Sequence, residues 1–145
     1  MRYLTHFFTA LILLVTISCG AEKEQVMEEE VVEERVRPAA SGGTSAAYFS
    51  YSNNLNKPDT LISVNSLIAR ETQVHESYET EDGMMGMREQ KEVIIPSGGS
   101  VVFKQGGLHV MMMDLREDLS AGDSVRIELE LKLAGKVSTV LQVKP

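Results

Sequence analysis

The chain has 145 residues and a formal net charge of −7 at pH 7, which leaves room for one domain. From Thr44 onward 14 acidic residues stand against 10 basic ones, so nothing supports nucleic-acid binding. The single cysteine, Cys19, lies near the start, so the folded part that follows has no disulfide and no thiolate ligand, which excludes a blue-copper centre.

Residues 1–18 read as an export signal of lipoprotein type. Arg2 supplies the positive charge, and an apolar run broken only by threonines extends from Phe7 to Ile17. That run is too short for an anchor helix, which needs ~20 apolar residues. The context Val15-Thr16-Ile17-Ser18-Cys19 resembles a lipobox, with Thr16 where leucine is usual. Cys19 is the expected lipidation site, and the expected location is the bacterial cell envelope, facing the periplasm or exposed at the surface. Residues 19–43 read as a tether. Seven glutamates face Lys23, Arg35 and Arg37, and Pro38-Ala39-Ala40-Ser41-Gly42-Gly43 closes the segment. Repelling charges and few large apolar residues keep such a segment solvated.

The pattern changes at Thr44, and residues 44–145 read as the folded domain. Ala47 to Tyr51 and Leu61 to Val64 are short strands, separated by the turn-rich Asn53 to Asp59. Thr72 to Tyr78 follows, around His75. Gly83 and Gly86 then imply a loop or a short bent strand. Val93 to Ile95 and Val101 to Phe103 flank Pro96-Ser97-Gly98-Gly99. Val125, Ile127, Leu129, Leu131 and Leu133 alternate with polar residues, so one face is buried and the other wet. Ala134-Gly135-Lys136 turns the chain, and Val137 to Val143 returns. About eight short strands without a convincing long helix predict an all-β antiparallel sandwich or barrel.

The chemistry is concentrated in two clusters. Six of the eight methionines are Met84, Met85, Met87, Met111, Met112 and Met113, and His75 and His109 accompany them. The only other histidine, His6, lies in the export signal. Methionine fills irregular core gaps, which accounts for one or two of these but not for two clusters, each with a histidine. Imidazole plus thioether is the donor set of a soft ion, above all Cu(I). His109 and Met111 are two apart, so on a strand they point to one side. Met112 points the other way, into the core, and Met113 is placed to rim the site. Met84 and Met85 read as apolar shielding or gap filling, and Glu79, Glu81 and Asp82 as a solvated loop. No G-x-S-x-G elbow and no cysteine nucleophile is present, so the reading is not an enzyme.

Glu76 and ten further residues separate His75 from Met87, then 21 residues lead to His109, and Met111 follows after one more. This resembles the periplasmic copper chaperones of PCuAC type, whose motif is H-(M)-x10-M-x21-H-x-M. Ala47-Tyr48-Phe49, Ile95-Pro96-Ser97-Gly98-Gly99, Gly106-Gly107-Leu108-His109-Val110-Met111 and Leu119-Ser120-Ala121-Gly122-Asp123 are similar to that family as well. The resemblance covers residues 44 to 145. It implies a cupredoxin-like Greek-key barrel, a Cu(I) site formed by His75, Met87, His109 and Met111, and delivery of copper to the CuA centre of cytochrome c oxidase or to another copper chaperone. Glu76 stands where many members have methionine, and its carboxylate is a candidate weak oxygen ligand for Cu(II). The alternative is a lipid-anchored β-sandwich that binds a protein partner or stores metal.

Overall fold

The computed structural model describes residues 32–145, so Cys19, the export signal and most of the tether lie outside the described residues. Ten strands follow in chain order: β1 (Arg35–Val36), β2 (Thr44–Ser52), β3 (Asp59–Asn65), β4 (Ala69–Glu79), β5 (Met85–Glu89), β6 (Val93–Ile95), β7 (Ser100–Phe103), β8 (Leu108–Leu115), β9 (Ser124–Leu131) and β10 (Gly135–Gln142). The described residues contain no helix. The larger sheet has the order β1-β2-β8-β4-β5, with β7 also paired to β2, and the smaller has the order β10-β9-β3-β6. Every pairing between these strands is antiparallel, as the turn spacing predicts.

Alternation along the strands decides what lies between the sheets. β9 turns Val125, Ile127, Leu129 and Leu131 inward, all buried. The larger sheet answers with Ala47, Phe49, Val74, Val110 and Met112, and Phe49 stacks on Phe103 at a centroid distance of 4.8 Å. Burying a side chain of this size contributes about 1.5–3 kcal/mol.

The folded unit begins before Thr44. Val36 is fully buried, pairs with Ala47 and forms a parallel bridge to Val143. Ala39 and Leu119 exchange backbone hydrogen bonds of 3.2 and 2.8 Å, and Gly42 N donates to Leu115 O at 2.7 Å. The end of the expected tether is therefore an edge strand and a strap over the barrel. One valine that finds a hydrophobic slot outweighs the charged composition around it.

Asp59 fixes the opposite sheet. Buried at the start of β3, it accepts hydrogen bonds from the backbone N–H of Thr60 (2.7 Å), Leu133 (2.9 Å) and Ala134 (2.9 Å), pinning the β9–β10 turn to β3. Burial pushes its carboxyl up. The bonds from Ala134, Thr60 and Leu133, with the charge of Lys57, outweigh that and hold it below the usual carboxylate range.

Two outcomes follow from this packing. Met112→Ala opens a cavity in the core and lowers unfolding free energy by about 2–5 kcal/mol, whereas Met85→Ala on the exposed hairpin changes it by less than ~0.5 kcal/mol; denaturant titration of both variants checks this. Folded Asp59 takes up its proton less readily than the unfolded chain does. Its contribution is thus intact above the ordinary carboxylate range and is lost as pH falls through it. Asp59→Asn should lower the melting temperature at neutral pH and flatten its decline in acid, measured by thermal melts from pH 7 down to pH ~2.

Candidate metal centre

β8 is central in the larger sheet, bonded to β2 on one side and β4 on the other. Its Val110 and Met112 are fully buried, so by alternation His109 and Met111 lie on the outer face. Directly paired residues share a face. His75 stands opposite His109, Gln73 opposite Met111, and Met87 on β5 opposite Ser77. His75, Met87, His109 and Met111 are thus brought to one face of one sheet, although 37 positions of sequence span them.

The rings of His75 and His109 are 6.1 Å apart between centroids, with planes inclined at 58°. An ion ~2.0 Å from one nitrogen of each ring would lie ~3 Å from each centroid, so this spacing suits a shared ion. Met87, His109 and Met111, with Arg37, Tyr48 and Ser77, line a cavity of about 220 Å³. His75 is not among its lining residues; it flanks the cavity across the ladder from His109.

The shelter around His109 has a local cause. Val110 faces Ala47 and Phe103 faces Phe49, so one residue of β2 spans the point where Lys104 to His109 are unpaired with β2. That excursion closes as a turn in which Gly107 N donates to Lys104 O at 3.3 Å and Gly106 takes φ +78°, a conformation that favours glycine. The carbonyl of Gly107 then accepts from Ser77 N (3.1 Å) and from His109 Nδ1 (3.0 Å). A carbonyl only accepts, so the neutral His109 ring carries its proton on Nδ1 and keeps the Nε2 lone pair for another partner. His109 is only 6% exposed. His75 Nε2 lies 2.7 Å from Gln73 Oε1, while His75 Nδ1 is buried with no hydrogen-bond partner. An orphaned imidazole nitrogen on this face is a polar atom that an ion would satisfy. Among the described residues no three His, Cys, Asp or Glu side chains gather as ligands; the soft donors on this face are the two imidazoles and the thioethers of Met87 and Met111.

Other expectations meet different outcomes. Met112 is in the core, as alternation requires. Met113 shares the face of Met111, one pair further on, opposite Thr44 and Glu71. Met84 and Met85 fill no gap; both are about two-thirds exposed, at 65% and 67%, on the β4–β5 hairpin. Gly86 in that hairpin allows the Tyr78 ring to lie over β5, since a Cβ there would fall 2.6 Å from the ring. Glu76 is on the opposite face from His75 and accepts from Arg88 (2.9 and 2.7 Å) and Gln90 (2.9 Å), which removes it as an oxygen ligand. Gln73 and the Gly107 carbonyl, which orient the two histidines, carry no motif signal. The i, i+2 series Glu71-Gln73-His75 on a strand is the one pattern that would have drawn attention to Gln73.

Comparison with known proteins identifies the family and the fold. A family model described as "Putative lipoprotein LpqE-like" matches residues 30–143. "Putative lipoprotein Lxx21020" of Leifsonia xyli subsp. xyli is 29% identical over 107 residues, covering 73% of this chain and 64% of that protein. An uncharacterized protein of Rickettsia prowazekii, RP573, is 29% identical over 83 residues, covering 57% of this chain and 46% of its own length. The chain therefore spans less than two thirds of these curated relatives. Among solved structures, the copper-bound PCuAC domain from PmoF2 superposes with a TM-score of 0.60 at 22% identity, covering 76% of this chain and 86% of that one. CuI-DR1885 from Deinococcus radiodurans gives 0.56 at 25% identity, with 86% and 85% covered. An all-β cupredoxin-like fold shared with PCuAC domains, and a family match over residues 30–143, place this chain in the LpqE-like lipoprotein family.

Proposed function

We propose that this protein is a copper(I) carrier of the bacterial cell envelope. It holds one ion through His75, Met87, His109 and Met111 and hands it to a thiolate acceptor, such as the CuA site of cytochrome c oxidase or another copper chaperone. The observation that carries this reading is the pairing of two histidines across β4 and β8, with both thioethers on the same face and one nitrogen of each ring bound to an amide oxygen. The copper-bound PmoF2 domain and CuI-DR1885 support copper as the cargo. The lipoprotein name of the family and of the Leifsonia relative supports an anchor at Cys19.

The donor set explains carriage rather than catalysis. Four neutral ligands leave the charge of Cu(I) uncompensated, and thioethers are soft but weakly basic. Thiolates bind the same ion more strongly, so transfer to a dithiolate acceptor runs downhill without an energy source. Met87, 63% exposed, is the ligand an acceptor reaches first, and His109 the most sheltered.

Cu(I), or its mimic Ag(I), should bind far more tightly than Zn(II), because two of the four donors are thioethers and none is a carboxylate. Competition against a chelator of known affinity measures this, and equal affinities would overturn it. Met87→Leu and Met111→Leu keep volume while removing sulfur, at a folding cost usually below ~1.5 kcal/mol. Both should fold normally and lose Cu(I) affinity, whereas Met112→Leu should keep it. Unchanged affinity in the first two would return Met87 and Met111 to a structural role.

A further inference from the structure

Gln73 precedes His75 by two residues on the same face of β4, and the copper motif gives it no part. Its amide is held at both ends. Nε2 donates to Glu71 Oε1 at 2.7 Å, and Oε1 lies 2.7 Å from His75 Nε2. A carboxylate only accepts, so the Gln73 nitrogen must face Glu71 and the oxygen must face His75. That oxygen in turn only accepts, so the proton of the neutral His75 ring is on Nε2. The lone pair is then on Nδ1, the buried atom with no hydrogen-bond partner. His109 is arranged the other way round, with Nδ1 donating to the Gly107 carbonyl.

We propose that Gln73 is a positioning residue that holds His75 in the Nε2–H tautomer, so that His75 offers Nδ1 to the ion while His109 offers Nε2. The proposal rests on the Cu(I) reading above. Glu71 acts one step further out by fixing which end of the Gln73 amide faces the ring. The two imidazoles thus bind through different nitrogens because their orienting oxygens differ in kind: one is on a side chain along the same strand, the other on the backbone of a turn. Partners of this type, next to a ligating histidine, typically change metal affinity by roughly 10–100-fold when removed.

The test uses the protein uniformly labelled with 15N, loaded with 109Ag(I) above the ordinary imidazole range. Long-range proton–nitrogen correlation on the metal-free protein should show His75 protonated at Nε2 and His109 at Nδ1. On loading, one-bond silver coupling should appear at His75 Nδ1 and His109 Nε2. Gln73→Leu should keep the melting temperature and lose roughly 10–100-fold in Ag(I) affinity. The double variant Glu71→Gln/Gln73→Glu, which again presents an acceptor to the ring, should regain most of that loss. Silver coupling at His75 Nε2, or wild-type affinity in Gln73→Leu, would overturn the proposal while leaving the carrier intact. Coupling at His109 alone would overturn it too. Coupling at neither histidine would bring down the carrier reading itself.

Discussion

β8 is hydrogen-bonded along both edges, and two of its side chains, Val110 and Met112, are fully buried between the sheets. A one-residue slip against β2 or β4 would drive those two outward and carry His109 and Met111 into the core. The register is therefore set by hydrophobic burial, and the positions of the candidate ligands follow from it. His75 is where it is because Val74, its buried neighbour, faces Val110 across the same ladder. The site draws its precision from a core it does not belong to.

The parts of this arrangement that depend on strand period were legible in the sequence. Alternation in Val125 to Leu133 foretold a one-sided sheet, although Leu133 lies past the end of β9 and is half exposed, and the two-residue step from His109 to Met111 foretold a shared face. What the sequence concealed depends on partners far away in the chain. Val36 reads as part of a charged segment, and only Ala47 and Val143 reveal it as core. Glu76 stands next to His75 in sequence but on the other face of β4, where Arg88 and Gln90 hold it. Gln73 and the Gly107 carbonyl matter because of what they orient, and neither backbone atoms nor amides leave a spacing signature. His75, Met87, His109 and Met111, the set that the family resemblance implies, stand on one face of the larger sheet.

The four candidate ligands divide by environment. The histidines are held by hydrogen bonds and, for His109, by near-complete burial, whereas Met87 stands on an edge strand open to solvent. The donors that need orientation receive it, and a donor that only needs softness is left accessible. Because Met87 is exposed and outside the hydrophobic core, truncating it is cheap in folding terms, whereas truncating Met112 opens a cavity.

The order of strands also sets a direction. The chain enters the larger sheet at β1, where Lys144 N donates to Val36 O and the Arg35 guanidinium donates to the Pro145 carbonyl, so both ends of the domain meet at one edge. β5, with Met87, is the opposite edge. Four interstrand steps of about 4.8 Å separate them, roughly 19 Å. Met87 therefore stands on the edge of the larger sheet farthest from the point where residues 35–36 and 144–145 meet. Whatever approaches from the β5 side meets Met87 before any other candidate ligand, while an approach from the β1 side meets the seam where Arg35 and Val36 close on Lys144 and Pro145.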